Sequence, residues 1–473
     1  MRFRWIARRS SLGCARRLCL AGGIGLALAV AVLVLVMGAA GRSASAVGVG
    51  LPQPVGYTVS ARWSPSSRTL TGTESIRLRD GGSGPLPFAW LRLYPNDSDP
   101  GQADGCRQPR IKIKVISGAR IDRYAVACSA ARLRLLRAVR PGEGAVVSLH
   151  FTIHVPTATA QFGRSAGVDL IGRAMPLLVV RDREGWHLDP DTATGDPTYS
   201  LVAAWKATIR VPAPLSVAST GAEVSNTVDA RSGLRVIVAS TPHARDFGLA
   251  IGRMSRRLGS VDGVRVRVFY SSRYSRASAA EAMRGSLAAI RRYTAWYGPY
   301  GAPEFDVVLG GLGADSQELP EIVFSDPDIG TIAHEVAHQW FYAIVGDDQY
   351  REPWLDESFA SWNEEQFAPG SYRCNPRRPL GSRQWGLTRG LNYYEHRPNE
   401  YDDVIYRGGS CGLTALQGML GRTRLLALLR EEVARYRYGV IHTRDFVRLL
   451  ANVNPATARR WTRLVGLPAP GSA

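Results

Sequence analysis

A chain of 473 residues has room for two or three domains, and 45% hydrophobic with 21% charged residues is a folded, globular composition that excludes an extended disordered protein. The formal net charge of +19 is carried almost wholly by arginine, since lysine occurs only at 112, 114 and 206. Seven arginines precede Val47 with no acid among them, so 19 minus 7 leaves +12 on the body. Those arginines are scattered without the aromatic-interleaved clusters of a nucleic-acid surface, which argues against such a partner.

The amino end reads as a membrane-targeting segment, residues 1–46. A basic start precedes an uncharged, mostly apolar run from Leu18 to Gly41. At 1.5 Å per residue this run makes a helix of about 36 Å, enough for a hydrocarbon core of about 30 Å. It is expected either to remain as a single-pass anchor or, because Ala44-Ser45-Ala46 resembles a small-residue cleavage site, to be removed as a signal peptide. Arginines on its amino side predict a cytoplasmic start and an exported body, at the membrane or secreted. The body's four cysteines agree with export, and their two-and-two grouping predicts the disulfides Cys106–Cys128 and Cys374–Cys411.

Residues 47–255 are expected to form a β-sandwich-like domain. In VVSLHFTIHV, Leu149, Phe151, Ile153 and Val155 alternate with Ser148, His150, Thr152 and His154, the pattern of a half-buried strand. His150 and His154 copy the spacing of a metal pair, but on a strand they stand about 13 Å apart, too far for one ion. Similar strands recur at YTVSARW, ESIRLRD, AWLRLYP, KATIRVP and LRVIVAS between turn-rich segments. The acidic loop bearing Asp189, Asp191 and Asp196 reads as turn and side-chain capping rather than a calcium site.

Residues 256–473 are expected to be the catalytic domain. VRVRVFY and FDVVLGG read as strands flanking a helix over 277–297 that stops at Gly298-Pro299, and EIVFSD as a further strand. The next helix, with Asp326 or Asp328 to cap it and Gly346 to end it, contains TIAHEVAHQW. Positions i and i+4 share one helical face, so His334 and His338 can close on one metal ion with Glu335 beside it. About 18 residues on, Glu357 in WLDESFA lies early on a helix that Pro353 can open, and two histidines with one carboxylate are the ligands of a catalytic zinc that keeps its fourth position for water.

HEVAHQWFYAIVGDDQYREPWLDESFASW resembles the zinc aminopeptidases of the aminopeptidase N and leukotriene hydrolase family, the gluzincin metallopeptidases. Trp354, Leu355 and Glu357 fill that family's tryptophan-leucine-x-glutamate segment. TLTGTESIRLRD, FAWLRLYPND, GWHLDPDTATGDPTYSLVAAWKATIRVPA and ARDFGLAIG are similar to its front domain. The resemblance implies a multidomain α and β protein whose β-sandwich-like domain precedes a thermolysin-like catalytic domain. It also implies one Zn2+ on His334, His338 and Glu357, with Glu335 as general base. GADSQELPEIVF stands where the family grips the substrate's free amine, which implies that role for Glu318, although Asp315, Ser316 and Gln317 replace the family's usual lead. YDDVIYRGGSCGLTAL resembles the segment of the catalytic tyrosine and implies Tyr406 for it, with Tyr401 as a second tyrosine found in some members. The expected activity is hydrolysis of amino-terminal residues from peptides outside the membrane. A thermolysin-like endopeptidase, and a membrane-tethered binding protein on an inactive scaffold, are the competing expectations.

Overall fold

The computed structural model describes residues 52–96, 106–157, 162–192, 194–311, 316–375, 377–380 and 386–471. The segment 1–46, with its apolar run 18–41, lies outside them. Among the described residues no helix is long and apolar enough to cross a membrane.

Alternating strands build the front half. A seven-stranded sheet runs, in spatial order, Ala222–Asp229, Leu234–Ala244, Ala203–Pro212, Pro52–Ser64, Thr69–Asp80, Gly144–His154 and Ile111–Ser117. On Gly144–His154 the side chains of Leu149, Phe151 and Ile153 are buried while His150 and His154 are exposed, as a period of two demands. The buried faces meet those of a four-stranded sheet made of Leu177–Leu178, Leu86–Arg92, Ala130–Val139 and Ala119–Ala125. Their shared core includes Trp63, Leu133 and Tyr57, which stacks on Trp205 with ring centres 4.1 Å apart. Cys106 and Cys128 form a disulfide.

The back half opens with a five-stranded sheet ordered Ser255–Val261, Val264–Tyr270, Glu304–Leu309, Ile322–Ser325 and Gln317–Leu319, which places Gln317–Leu319 on an edge. Helix α1 (Arg276–Tyr297) crosses between its second and third strands, capped by the Ser275 hydroxyl accepting from Ser278 N and ended at Gly298, whose φ of 104° suits glycine. It packs on α2 (Ile329–Ala337), which packs in turn on α3 (Trp354–Phe367). Helices α4 (Gly409–Leu420), α5 (Arg422–Tyr436), α6 (Thr443–Val453) and α7 (Pro455–Val465) complete an aromatic-rich core with Tyr293, Trp340, Trp354, Phe359, Phe446 and Trp461. The Cys374–Cys411 disulfide ties the segment after α3 to α4.

Asp328 caps α2, accepting from Gly330 N at 2.9 Å and Thr331 N at 3.0 Å. The regular helix ends at Ala337, well before Gly346. The chain then tightens, with Gln339 N bonding Val336 O and Trp340 N bonding Ala337 O, and further on takes wider five-residue steps, with Ala343 N bonding His338 O, Ile344 N bonding Gln339 O and Val345 N bonding Trp340 O. Glycine is required at 346 for another reason: a Cβ there would meet the buried guanidinium of Arg245 at 2.1 Å.

Candidate metal centre

His338 is the C-cap of α2 and keeps helical dihedrals of −59° and −17°, so the i, i+4 relation to His334 survives the end of the regular helix. Helix α3, opened after Pro353, brings Glu357 in its first turn against the same point. His334 Nε2 lies 3.1 Å from His338 Nε2 and 3.2 Å from Glu357 Oε2, and His338 Nε2 lies 3.4 Å from that oxygen. All three residues are buried, and their donor atoms lie within 4.8 Å of one another.

The far ring nitrogens are held as well. His334 Nδ1 faces Glu364 Oε2 at 3.3 Å, and His338 Nδ1 faces the Phe341 carbonyl at 3.2 Å. Each Nδ1–H donating to such an acceptor leaves Nε2 as the lone-pair donor turned toward the shared point. Burial opposes charge on His338, yet Glu357 raises its imidazole to about 9. Burial likewise opposes charge on Glu357, yet His338 and His334 hold its carboxyl well below the usual range. Two imidazoles and a carboxylate sharing protons at one point are a donor set that a divalent cation satisfies, and Zn2+ is the metal that this N, N, O set suits.

Glu335, next to His334, is 5% exposed, and its Oε2 has no hydrogen-bond partner among the described residues. Burial pushes this carboxyl up to about 7 against the pull of His334 and His338. Tyr406 lies on a π-helical stretch, Asp402–Gly408, that leads into α4. Its ring stacks on His334 at 5.9 Å, and its hydroxyl donates to Glu357 Oε1 at 2.8 Å. Tyr401 packs edge-on against Tyr406.

Glu318 lies on the edge strand, 3% exposed. Its hairpin turn is fastened from both halves of the chain. Gln339, just past the end of α2, donates to Leu319 O at 3.0 Å and accepts from Glu321 N at 2.8 Å. From the front half, Thr241 Oγ1 and Gly221 N donate to the Glu321 carboxylate. Glu318 Oε1 accepts from Arg173 Nη2 at 2.8 Å and from Gln349 Nε2 at 3.0 Å. Burial and Asp196 push its carboxyl upward while Arg173 pulls it down. The structure thus brings together His334, His338, Glu357 and Tyr406, with Glu335 next to His334 in the chain and Glu318 buried on the sheet edge.

Two carboxylates of the acidic loop pair with arginines elsewhere in the chain. Asp196 pairs with Arg173, and Asp189 accepts from Arg351 at 3.4 Å. Sequence reasoning also missed Glu364, Gln349 and Arg173. Glu364 was within reach, since it stands seven residues after Glu357 on one helix, two turns along the same face. Arg173 carried no such signal, being 145 positions from its partner Glu318.

A profile described as the peptidase family M1 domain matches residues 327–385. Among curated proteins, aminopeptidase N of Acetobacter pasteurianus is 26% identical over 255 residues, 45% of this chain and 70% of that protein. Aminopeptidase M1-D of Oryza sativa subsp. japonica is 26% identical over 158 residues, and the match covers 30% of this chain but only 18% of the rice protein's length. The alanine/arginine aminopeptidase of Saccharomyces cerevisiae is 27% identical over 165 residues, 29% of this chain and 18% of its own length. The fold is shared with the M1 zinc metallopeptidase of Deinococcus radiodurans, at a TM-score of 0.65 and 19% identity over 90% of this chain and 97% of that one. Another structure of that protein, a point mutant bound to a Tyr-Ser-Ala substrate, gives a TM-score of 0.66 at 18% identity over 89% and 96%. Residues 327–385 thus match the peptidase family M1 domain, and the chain is similar to aminopeptidases and shares the fold of an M1 zinc metallopeptidase.

Proposed function

We propose that the protein is a zinc-dependent aminopeptidase that removes amino-terminal residues from peptides outside the cytoplasm. The observation that carries this reading is the convergence of Glu335 and Tyr406 on the His334, His338 and Glu357 cluster, with the buried carboxylate of Glu318 on the neighbouring strand edge. When bound, zinc supplies a Lewis acid that polarises the scissile carbonyl and acidifies a water. Glu335, with an oxygen left unbonded among the described residues, takes the water's proton as general base and delivers it to the leaving amine. A turn of the Tyr406 hydroxyl away from Glu357 aims its O–H at the developing oxyanion. The substrate backbone extends the sheet along Gln317–Leu319, and Glu318 accepts from its ammonium.

Two disulfides support an oxidising compartment, and the apolar run 18–41 supports delivery there as an anchored or processed protein. The test is a pair of tripeptides differing only in amino-terminal acetylation. Cleavage of the free peptide alone is the expected result. Equal cleavage of both gives the endopeptidase reading, and silence on both with zinc bound gives the inactive scaffold.

A further inference from the structure

Arg173 is an arginine in an unusual setting. It follows the front-half strand Val168–Ile171, is 1% exposed, and has a φ of 52°, in the left-handed region that residues with a side chain rarely adopt. Such a conformation persists only where surrounding contacts hold it, and strained positions of this kind gather at functional sites. The contacts are on both sides. Before it, Gly172 lies against the side-chain amide of Gln317, where a Cβ would meet Oε1 at 2.2 Å, so the loop contacts a side chain of the strand that carries Glu318. From there the guanidinium reaches Asp196 with Nη1 and Glu318 Oε1 with Nη2, the latter at 2.8 Å.

We infer that Arg173 is a positioning residue that sets the substrate's amino-terminal recognition: it orients Glu318 and balances the charge around it, so that the front half of the chain imposes exopeptidase selectivity on the zinc site. This rests on the reading of Glu318 as the ammonium anchor. Both hydrogen bonds to Glu318, from Arg173 and from Gln349, end on Oε1, which fixes the carboxylate plane without using Oε2. The guanidinium spans the Asp196 and Glu318 carboxylates, so it holds Glu318 in place from one side. A lysine would give a point charge able to serve one carboxylate at a time, where the planar fork of arginine serves both.

The experiment compares wild type, Arg173→Met, Arg173→Lys, Glu318→Gln and the Arg173→Met/Glu318→Gln pair in the full chain, each checked for zinc content and thermal midpoint. The substrates are a tripeptide with a free amino terminus and its acetylated twin. Arg173→Met is expected to raise KM for the free peptide on the order of tenfold or more, the worth of one charge-assisted hydrogen bond, with kcat changed much less. Arg173→Lys is expected to recover part of the loss, and the double variant to match Glu318→Gln alone, because Arg173 acts through that carboxylate. An unchanged KM in Arg173→Met, or losses that multiply in the double variant, would overturn the inference. If Arg173→Met does not fold, Arg173→Lys carries the test: a several-fold rise in KM supports it and an unchanged KM overturns it. Equal cleavage of both peptides by wild type instead removes the anchor reading itself, before any variant is compared.

Discussion

Removing Glu364 isolates the support of one zinc ligand without touching the ligands. Its Oε2 faces His334 Nδ1 at 3.3 Å and also accepts from the Tyr372 hydroxyl at 3.1 Å. The His334–Glu364 contact fixes the tautomer that presents Nε2 and makes the ring a stronger donor, and partners of this kind contribute about 10- to 100-fold to metal affinity. At about 1.4 kcal/mol per factor of ten, that is roughly 1.4 to 2.8 kcal/mol of zinc binding. Glu364→Ala is therefore expected to raise the zinc dissociation constant by that factor, and Glu364→Gln, which keeps a weaker acceptor, by less. The assay is competition with a chromophoric chelator, and activity at saturating zinc should return to within a few-fold of wild type. Wild-type zinc affinity in Glu364→Ala would refute the reasoning, since the contact would then be incidental. A loss beyond about ten-thousandfold would equally refute it, because that is the size of a missing ligand rather than of its support.

Tyr406→Phe removes the hydroxyl donor and should lower kcat by about 100- to 1,000-fold with zinc content retained; near-wild-type kcat would remove Tyr406 from the oxyanion role. Arg245 is fully buried and donates to Ser200 O at 2.7 Å, Gly439 O at 3.1 Å and Ala343 O at 3.4 Å, joining the front half, the carboxy-terminal helices and the turn after His338. Arg245→Met strips three carbonyls of a charged donor and is expected to cost about 3 to 5 kcal/mol in urea unfolding, whereas less than about 1 kcal/mol would contradict the role given to it. Glu432, on α5, is buried with neither carboxylate oxygen hydrogen-bonded among the described residues, and burial raises its carboxyl from 4.5 to about 8. The folded state binds that proton more tightly than the unfolded chain, so this group's contribution is fully present below 4.5 and is lost as pH rises through about 8. Stability of wild type relative to Glu432→Gln should fall across that window by up to about 5 kcal/mol, from 8 minus 4.5 at 1.36 per unit, and parallel pH profiles of the two proteins would show the carboxyl to be solvated.

Local pattern carried much of the architecture. The strand Gly144–His154, helix α1 with its stop at Gly298, and the opening of α3 after Pro353 were legible because alternation, a glycine stop and a proline start are short-range signals. The zinc cluster was legible because i, i+4 spacing on a helix is geometry in itself. Legibility failed where the cause lies far away in the chain. Helix α2 ends early, at Ala337, in tighter three-residue turns, and Gly346 is needed for Arg245 rather than for a helix stop. Asp196 looked like a turn residue because its partner Arg173 comes from another part of the front half, and the setting of Glu318 depends on a guanidinium 145 positions away. Long-range ion pairs leave no periodic trace, so the residues that tune the site stayed hidden while those that form it stood out.

The central claim is that one zinc on His334, His338 and Glu357 works with Glu335 as base. Its most direct test measures zinc per chain and the rate of free-amine tripeptide hydrolysis in wild type and in Glu335→Gln. One zinc in both proteins, with turnover in wild type and a loss of several orders of magnitude in the variant, is the predicted result. Wild-type turnover in Glu335→Gln, or a wild-type chain that hydrolyses the peptide without binding zinc, would contradict it.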